Sequence, residues 1–225
     1  MVPCCAWLRP RLGLESTPKR MALRTPPQQL VDTIHALHQR GWCDGTGGNF
    51  SVVLEHSPLR LLMAPSGVDK GLVQADQLIE VDAQGTVVKG EGKASAETLL
   101  HLQVIHDCNA GSVLHTHSPA ATLLSKHHAE SGSLRLEGWE MLKGLEGIDT
   151  HDTSVSVPII ANDQNLKSLS ATASKHLPGK AHGLLVAGHG LYAWGKTLND
   201  ARRHVEILEF LLDLHWRESL LLGRW

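Results

Sequence analysis

The chain predicts an α/β domain, on three observations. Stretches with apolar residues three and four apart, the period of a helix, alternate with short runs rich in Val, Ile and Leu, the mark of strands. Turn signals such as Pro65-Ser66-Gly67 and Gln84-Gly85 separate them. No repeat, low-complexity tract or linker interrupts residues 26–225, which are expected to form one catalytic-sized domain.

In chain order, Leu30, Ile34 and Leu37 follow Pro26-Pro27 at helical spacing, and Gly41 stops the pattern. Residues 43–51 carry three glycines and form a loop that enters a strand at 52–54. A strand at 61–64 ends in the Pro-Ser-Gly turn, and 78–82 with 86–89 make a hairpin. A helix over 98–106 takes Ser95 as its N-cap and Glu97 in its first turn, where a carboxylate suits the helix dipole. Residues 112–119 form a strand, and 119–126 a short helix opened by proline. A strand over 155–160 precedes a helix through Leu166, Leu169 and Ala173. Two strand-like runs flank Gly188-His189-Gly190. A long helix from Thr197 to about Leu222 closes the chain on a stripe of Leu198, Ala201, Val205, Leu208 and Leu211.

Composition narrows the function. At 225 residues and 42% hydrophobic the chain can bury a core. A net charge of -2 leaves no basic footprint for nucleic acid or a membrane surface. No apolar run approaches the roughly 20 residues that cross a bilayer. Residues 1–25 lack the apolar stretch and cleavage site of a secretory signal and are expected to be a disordered extension, with Met21 an alternative start. Cys4, Cys5, Cys43 and Cys108 show no metal or disulfide spacing, which fits a cytoplasmic protein.

The chemistry centres on His115-Thr116-His117. Residues two apart on a strand point the same way, so both imidazoles can face one ion. With 15 His in the chain, such a pair also arises by chance. His189, between two glycines, is hard to place as a core residue and is the third candidate ligand. Three imidazoles with an open position make a catalytic divalent site, most naturally for Zn²⁺. Asn49, Ser51, Ser66, Gly67 and Ser95 offer small polar groups on loops that suit a phosphate, though each also serves as an ordinary turn or cap residue. Glu97 is either a first-turn carboxylate or a ligand and proton carrier, and spacing does not separate the two. Glu137 and Glu140 are water-facing by default, as are His127 and His128.

Taken together, Gly45-Thr-Gly-Gly-Asn-Phe-Ser51, Ala64-Pro-Ser-Gly67, Ser95-Ala-Glu97, His115-Thr-His117 and Gly188-His-Gly190 resemble the class II aldolase family of zinc enzymes over roughly residues 27–215. Glu140-Met-Leu-Lys-Gly144 and Ala64-Pro-Ser-Gly-Val-Asp-Lys70 resemble the dehydratase branch of that family. The resemblance implies a three-layer α-β-α fold with a mainly antiparallel central sheet. It implies a homotetramer with active sites near subunit interfaces, and zinc on His115, His117 and His189. It implies phosphate around Asn49, Ser66, Gly67 and Ser95, and Glu140 as the acid/base. Ala96 stands where animal members carry a cysteine, and Glu97 follows it as in the sugar-phosphate aldolases, so the roles of Glu97 and Glu140 stay open. The activity implied is loss of water from a phosphorylated ketose, 5-methylthioribulose 1-phosphate, through an enediolate. The alternatives are an aldolase or epimerase of the same family, or a non-catalytic interaction module. Trp139 and Met141 are candidate contacts for the methylthio group, although core packing explains them as well.

Overall fold

The computed structural model describes residues 24–223, so nearly all of the expected N-terminal extension lies outside the described residues. Five helices are seen: α1 Pro26–Gln39, α2 Thr98–Cys108, α3 Pro119–His127, α4 Leu166–Ser174 and α5 Leu198–Leu221. The strands are β1 Asn49–His56, β2 Leu59–Met63, β3 Ile79–Asp82, β4 Val87–Lys89, β5 Ser112–Thr116, β6 Ser133–Glu137, β7 Ser154–Ile160, β8 Gly183–Val186 and β9 Gly190–Gly195. They form one sheet in the order β4-β3-β2-β1-β5-β9-β8-β7-β6. Of the neighbouring pairs only β7 and β8 run parallel, so the expected mainly antiparallel sheet is present.

The three-layer expectation also holds. One core lies under α1, α3 and α5, built from residues such as Leu30, Ile34, Leu124, Val205 and Leu208. The other lies under α2 and α4, with Leu100, Val104, Leu169 and Ala173. Strand periodicity divides each central strand between the two. On β9, Leu191 and Ala193 face the first core, while Tyr192 and Trp194 face the second. Each fully buried aliphatic side chain contributes at most about 1.5–3 kcal/mol, so the four apolar positions of α1 outweigh the lack of a side-chain cap at Thr25. Among the described residues no helix is long and apolar enough to cross a membrane.

Two local expectations need correction, and one strand was not expected. β1 starts at Asn49, not at 52, because Asn49 through Val52 pair with β5 and draw the end of the glycine loop into the sheet. Ser95 is not the N-cap of α2; Glu97 occupies that place, and its side chain makes no cap bond. The strand β6 has no counterpart among the sequence expectations. It has only two buried apolar residues, Leu134 and Leu136, between outward Arg135 and Glu137, and its pairing with β7 decides it.

Candidate active site

A row of side chains crosses the middle of the sheet. Asn49 on β1 pairs with His115 on β5, and His115 pairs with Tyr192 on β9. Directly paired residues present side chains to the same face, here the face that α2 covers. His115 is fully buried, and its Nδ1 lies 2.9 Å from the Leu191 carbonyl. A carbonyl only accepts, so Nδ1 carries the proton and Nε2 keeps its lone pair.

His117 lies one residue beyond β5, with its backbone N–H held 2.7 Å from the Trp42 carbonyl. His189 sits in the tight turn from β8 to β9. The glycines around it answer two needs. Gly188 takes φ +66°, and a Cβ on Gly190 would stand 2.0 Å from the Thr116 carbonyl oxygen. The helix α3 anchors the turn through Thr122 Oγ1 to the His189 carbonyl at 3.1 Å and Ser125 Oγ to Gly188 N–H at 3.1 Å.

These elements bring three Nε2 atoms together. The distances are 2.7 Å from His117 to His115 and 3.3 Å from His115 to His189. Two imidazoles on one tetrahedral ion, each about 2.0–2.1 Å from it, stand about 3.3 Å apart. One pair already matches, and the other has to open by roughly half an ångström. Protonation does not relieve the crowding. Burial, and then the neighbouring His117 and His189, hold His115 well below the usual imidazole range. His117 is lowered too, first by burial and then by His189. His115 Nε2 is thus a bare lone pair with the Nε2 atoms of two further imidazoles within 3.3 Å, an arrangement that a cation among them would satisfy. The donor set therefore fits a divalent metal ion.

The Glu97 carboxylate lies against this cluster, with Oε1 3.3 Å from His189 Nε2 and Oε2 3.5 Å from His115 Nε2. Oε2 accepts from Asn49 Nδ2 at 2.6 Å and from the Tyr192 hydroxyl at 2.9 Å. Burial, and then Glu97, push the Tyr192 hydroxyl well above the usual phenol range, so it remains a donor. Glu97 thus faces the imidazoles and offers no cap to α2.

Beside Glu97 opens a pocket of about 150 Å³. Asn49, Ser66, Gly67, Ser95, Glu97 and His117 line it, so six of the residues expected from sequence meet here. Lys70 lines it as well, and sequence reasoning gave that residue no role. Lys70 is 2% exposed. Its ammonium donates to the Thr46 and Val68 carbonyls at 2.9 and 3.0 Å, and no described carboxylate pairs with it. Burial lowers its pKa. A buried cation on a pocket wall with two of its three N–H donors bonded to carbonyls is suited to receive an anion. The available signal was its place in Pro65-Ser-Gly-Val-Asp-Lys70, just after the turn.

Two expected residues lie elsewhere. Ser51 is fully buried under the pocket, with its hydroxyl 2.7 Å from His101 Nδ1. Glu140 is on a 3-10 turn, Glu140–Gly144, with a side chain 67% exposed. It pairs with Lys143 and stands 3.4 Å from His151 Nδ1, and Lys143 lowers its pKa. It is not among the residues that line the pocket. Trp139 packs on the core of the α1 side, whereas Met141 is exposed.

Glu146, His182 and His204 form a second group within 4.8 Å. There His204 Nδ1 meets the Trp194 carbonyl at 2.7 Å, and Nε2 accepts the Glu146 backbone N–H at 3.2 Å. Both nitrogens are used, so that group directs no free His204 lone pair at an ion.

Residues 28–216 match the family described as Class II Aldolase and Adducin N-terminal domain. The methylthioribulose-1-phosphate dehydratase of Xanthomonas campestris pv. campestris (strain 8004) is 44% identical over 187 residues, 82% of this chain and 85% of that protein. The enzyme of the same name from Methylococcus capsulatus is 42% identical over 196 residues, 86% of this chain and 94% of that one. Among solved structures, the L-fuculose-1-phosphate aldolase of Thermus thermophilus superimposes with a TM-score of 0.70 at 24% identity, covering 88% of this chain and 96% of its own.

Proposed function

Since the chain belongs to the class II aldolase and adducin family, we propose that it is a zinc-dependent dehydratase of methionine salvage. It converts 5-methylthioribulose 1-phosphate to 2,3-diketo-5-methylthiopentyl 1-phosphate and water. The observation that carries this reading is the convergence of His115, His117 and His189 with the Glu97 carboxylate against them, in a chain 44% identical to a methylthioribulose-1-phosphate dehydratase.

The three imidazoles would hold the ion. When bound, a divalent cation supplies Lewis-acid polarisation of the ketose carbonyl, and neutral imidazoles suit Zn²⁺. The phosphate is held by Ser66, Gly67, Ser95 and the Asn49 end of the pocket, with Lys70 supplying positive charge. This places the sugar carbons toward Glu97. Glu97 accepts the C3 proton, and the electron pair left on C3 forms the C3–C4 double bond as the C4 hydroxyl leaves. An acid protonates that hydroxyl, giving water and a C3 enol, and the enol ketonises by losing its hydroxyl proton and gaining one at C4. Glu140 is the candidate acid. Its exposure suits delivery to the site of a neighbouring copy in a homotetramer.

Incubation of zinc-loaded protein with methylthioribulose phosphate, followed by mass identification of the product, tests the reading. A diketone 18 mass units lighter than substrate is expected, from loss of one water (about 18 Da). Release of dihydroxyacetone phosphate from a ketose phosphate would instead establish an aldolase. Glu97→Gln and Glu140→Gln should each lose turnover while retaining zinc. Mixed oligomers of the two variants should regain part of it. Normal turnover in Glu140→Gln would remove that residue from the mechanism.

A further inference from the structure

Beneath the pocket lies a buried imidazole that the chemistry above does not use. His101 is on α2, one helical turn after Glu97, and is fully buried. Its Nδ1 is 2.7 Å from Ser51 Oγ, and its Nε2 is 2.8 Å from Asn49 Oδ1. Asn49 passes its other end, Nδ2, to Glu97 Oε2 at 2.6 Å.

The direction of every bond in this series is determined. An ionised carboxylate only accepts, so Asn49 presents its NH₂ to Glu97 and its oxygen to His101. An amide oxygen also only accepts, so His101 carries its proton on Nε2. Nδ1 then accepts from the Ser51 hydroxyl. Burial keeps the ring neutral, with a pKa pushed down to about 4. The series therefore runs Ser51 to His101 to Asn49 to Glu97, each donating to the next.

We propose that His101 is a positioning residue that fixes which end of the Asn49 amide faces Glu97 and the pocket. The terminal torsion of an asparagine is broad and two-fold, so the amide by itself has no strong preference between its two faces. Reversed, it would set its oxygen against the carboxylate, lone pair to lone pair. The NH₂ end would point down into the protein, away from carboxylate and substrate. The Nε2–H of His101 meets only one of the two orientations. Ser51 completes the far end of the series: its hydroxyl can donate or accept, donates to Nδ1 once Asn49 has set the tautomer, and so has a use although it does not reach the pocket. The consequence for turnover rests on the dehydratase reading; the tautomer does not.

Two measurements on the full chain, loaded with zinc, test the proposal. The first is ¹⁵N NMR of protein labelled at histidine, with the His101 signals assigned by their absence in His101→Gln. At neutral pH the wild type should show Nε2 protonated and Nδ1 bare. A ring protonated on Nδ1, or averaging between tautomers, overturns the proposal whether or not the protein turns over a ketose phosphate. The second is steady-state kinetics of His101→Leu and His101→Gln, with zinc content and Tm measured beside them. Leu removes the donor to Asn49 and should lower kcat about tenfold or more, with KM and zinc content near wild type. Gln can donate through its own Nε2 and should recover kcat to within about threefold of wild type. Equal loss in both variants, or wild-type kcat in His101→Leu, overturns it. If neither the wild type nor any variant acts on methylthioribulose phosphate, the function assignment fails while the NMR result still decides the role of His101.

Discussion

The phenol ring of Tyr192 lies flat on the imidazole of His115, with centroids 3.8 Å apart and planes 10° from parallel. The two are paired across β9 and β5. The stack fixes the tilt of the His115 ring, and the bond from Nδ1 to the Leu191 carbonyl fixes its rotation. The same tyrosine reaches Glu97 with its hydroxyl. One side chain thus orients both a proposed metal ligand and the carboxylate beside it.

Tyr192→Phe separates those two tasks. Phenylalanine keeps the stack and loses the bond to Glu97 Oε2. Zinc content should match wild type, while kcat falls about tenfold or more, the worth of a hydrogen bond to a charged group. Metal analysis beside steady-state kinetics checks this. Loss of zinc in the variant would mean that the hydroxyl, and not the ring, holds the site together.

Chelation should abolish turnover, and added Zn²⁺ should restore it. An ion that binds only the folded chain stabilises it by about 4 kcal/mol at a concentration of 1,000 times Kd. Tm should therefore fall on chelation, with little change in far-UV circular dichroism, because the sheet and its two cores do not depend on the site. His189→Ala should start near the chelated Tm and respond weakly to added zinc.

Lys70→Met tests the pocket cation. Methionine fills the buried stem and removes the charge. KM for a phosphorylated ketose should rise about tenfold or more, with kcat changed little and KM for the unphosphorylated sugar unaffected. Burial lowers the pKa of this lysine, so its ammonium is lost at lower pH than that of an exposed one. The wild-type KM should therefore climb on the alkaline side of the profile, and the variant's should not.

How much of this was legible beforehand follows from the range of the interactions. His115 and His117 were legible because strand period would set them on one side, although β5 stops one residue short of His117, and His189 because its glycines left no packing role for it. The candidate metal site needed only the further fact that β5 and β9 are neighbours. Glu97 was ambiguous because a helix start accepts a carboxylate whether or not anything lies in front of it; Asn49 and Tyr192 resolve the question, and both arrive from other strands. Tyr192, His101 and Lys70 were silent for the same reason. A tyrosine in an apolar run, a histidine on a helix face and a lysine after a turn are all ordinary until cross-strand register sets them around one carboxylate and one pocket. Ser51, expected at the phosphate, bonds His101 instead, since the strand it belongs to begins two residues before it and takes in the end of the glycine loop.

The last prediction concerns Glu209, a carboxylate on α5 that reaches residues 116–118 from the opposite face of the sheet. It is 2% exposed and accepts from the hydroxyls of Thr116 and Ser118, the residues on either side of His117. Burial raises its pKa to about 7, and the two hydroxyls oppose that rise. The folded state therefore keeps this proton where the unfolded chain, near 4.5, has already lost it. Stability attributable to the group is fully present below the unfolded value, declines as pH rises toward 7 and is flat above. The span corresponds to about 3 kcal/mol as an upper figure. Glu209→Gln is neutral throughout and keeps one acceptor for Thr116. Its Tm relative to wild type should therefore become more favourable between pH 5 and pH 8. A difference that stayed constant over that range would mean that Glu209 titrates like an ordinary carboxylate, and that its two hydroxyl partners outweigh its burial.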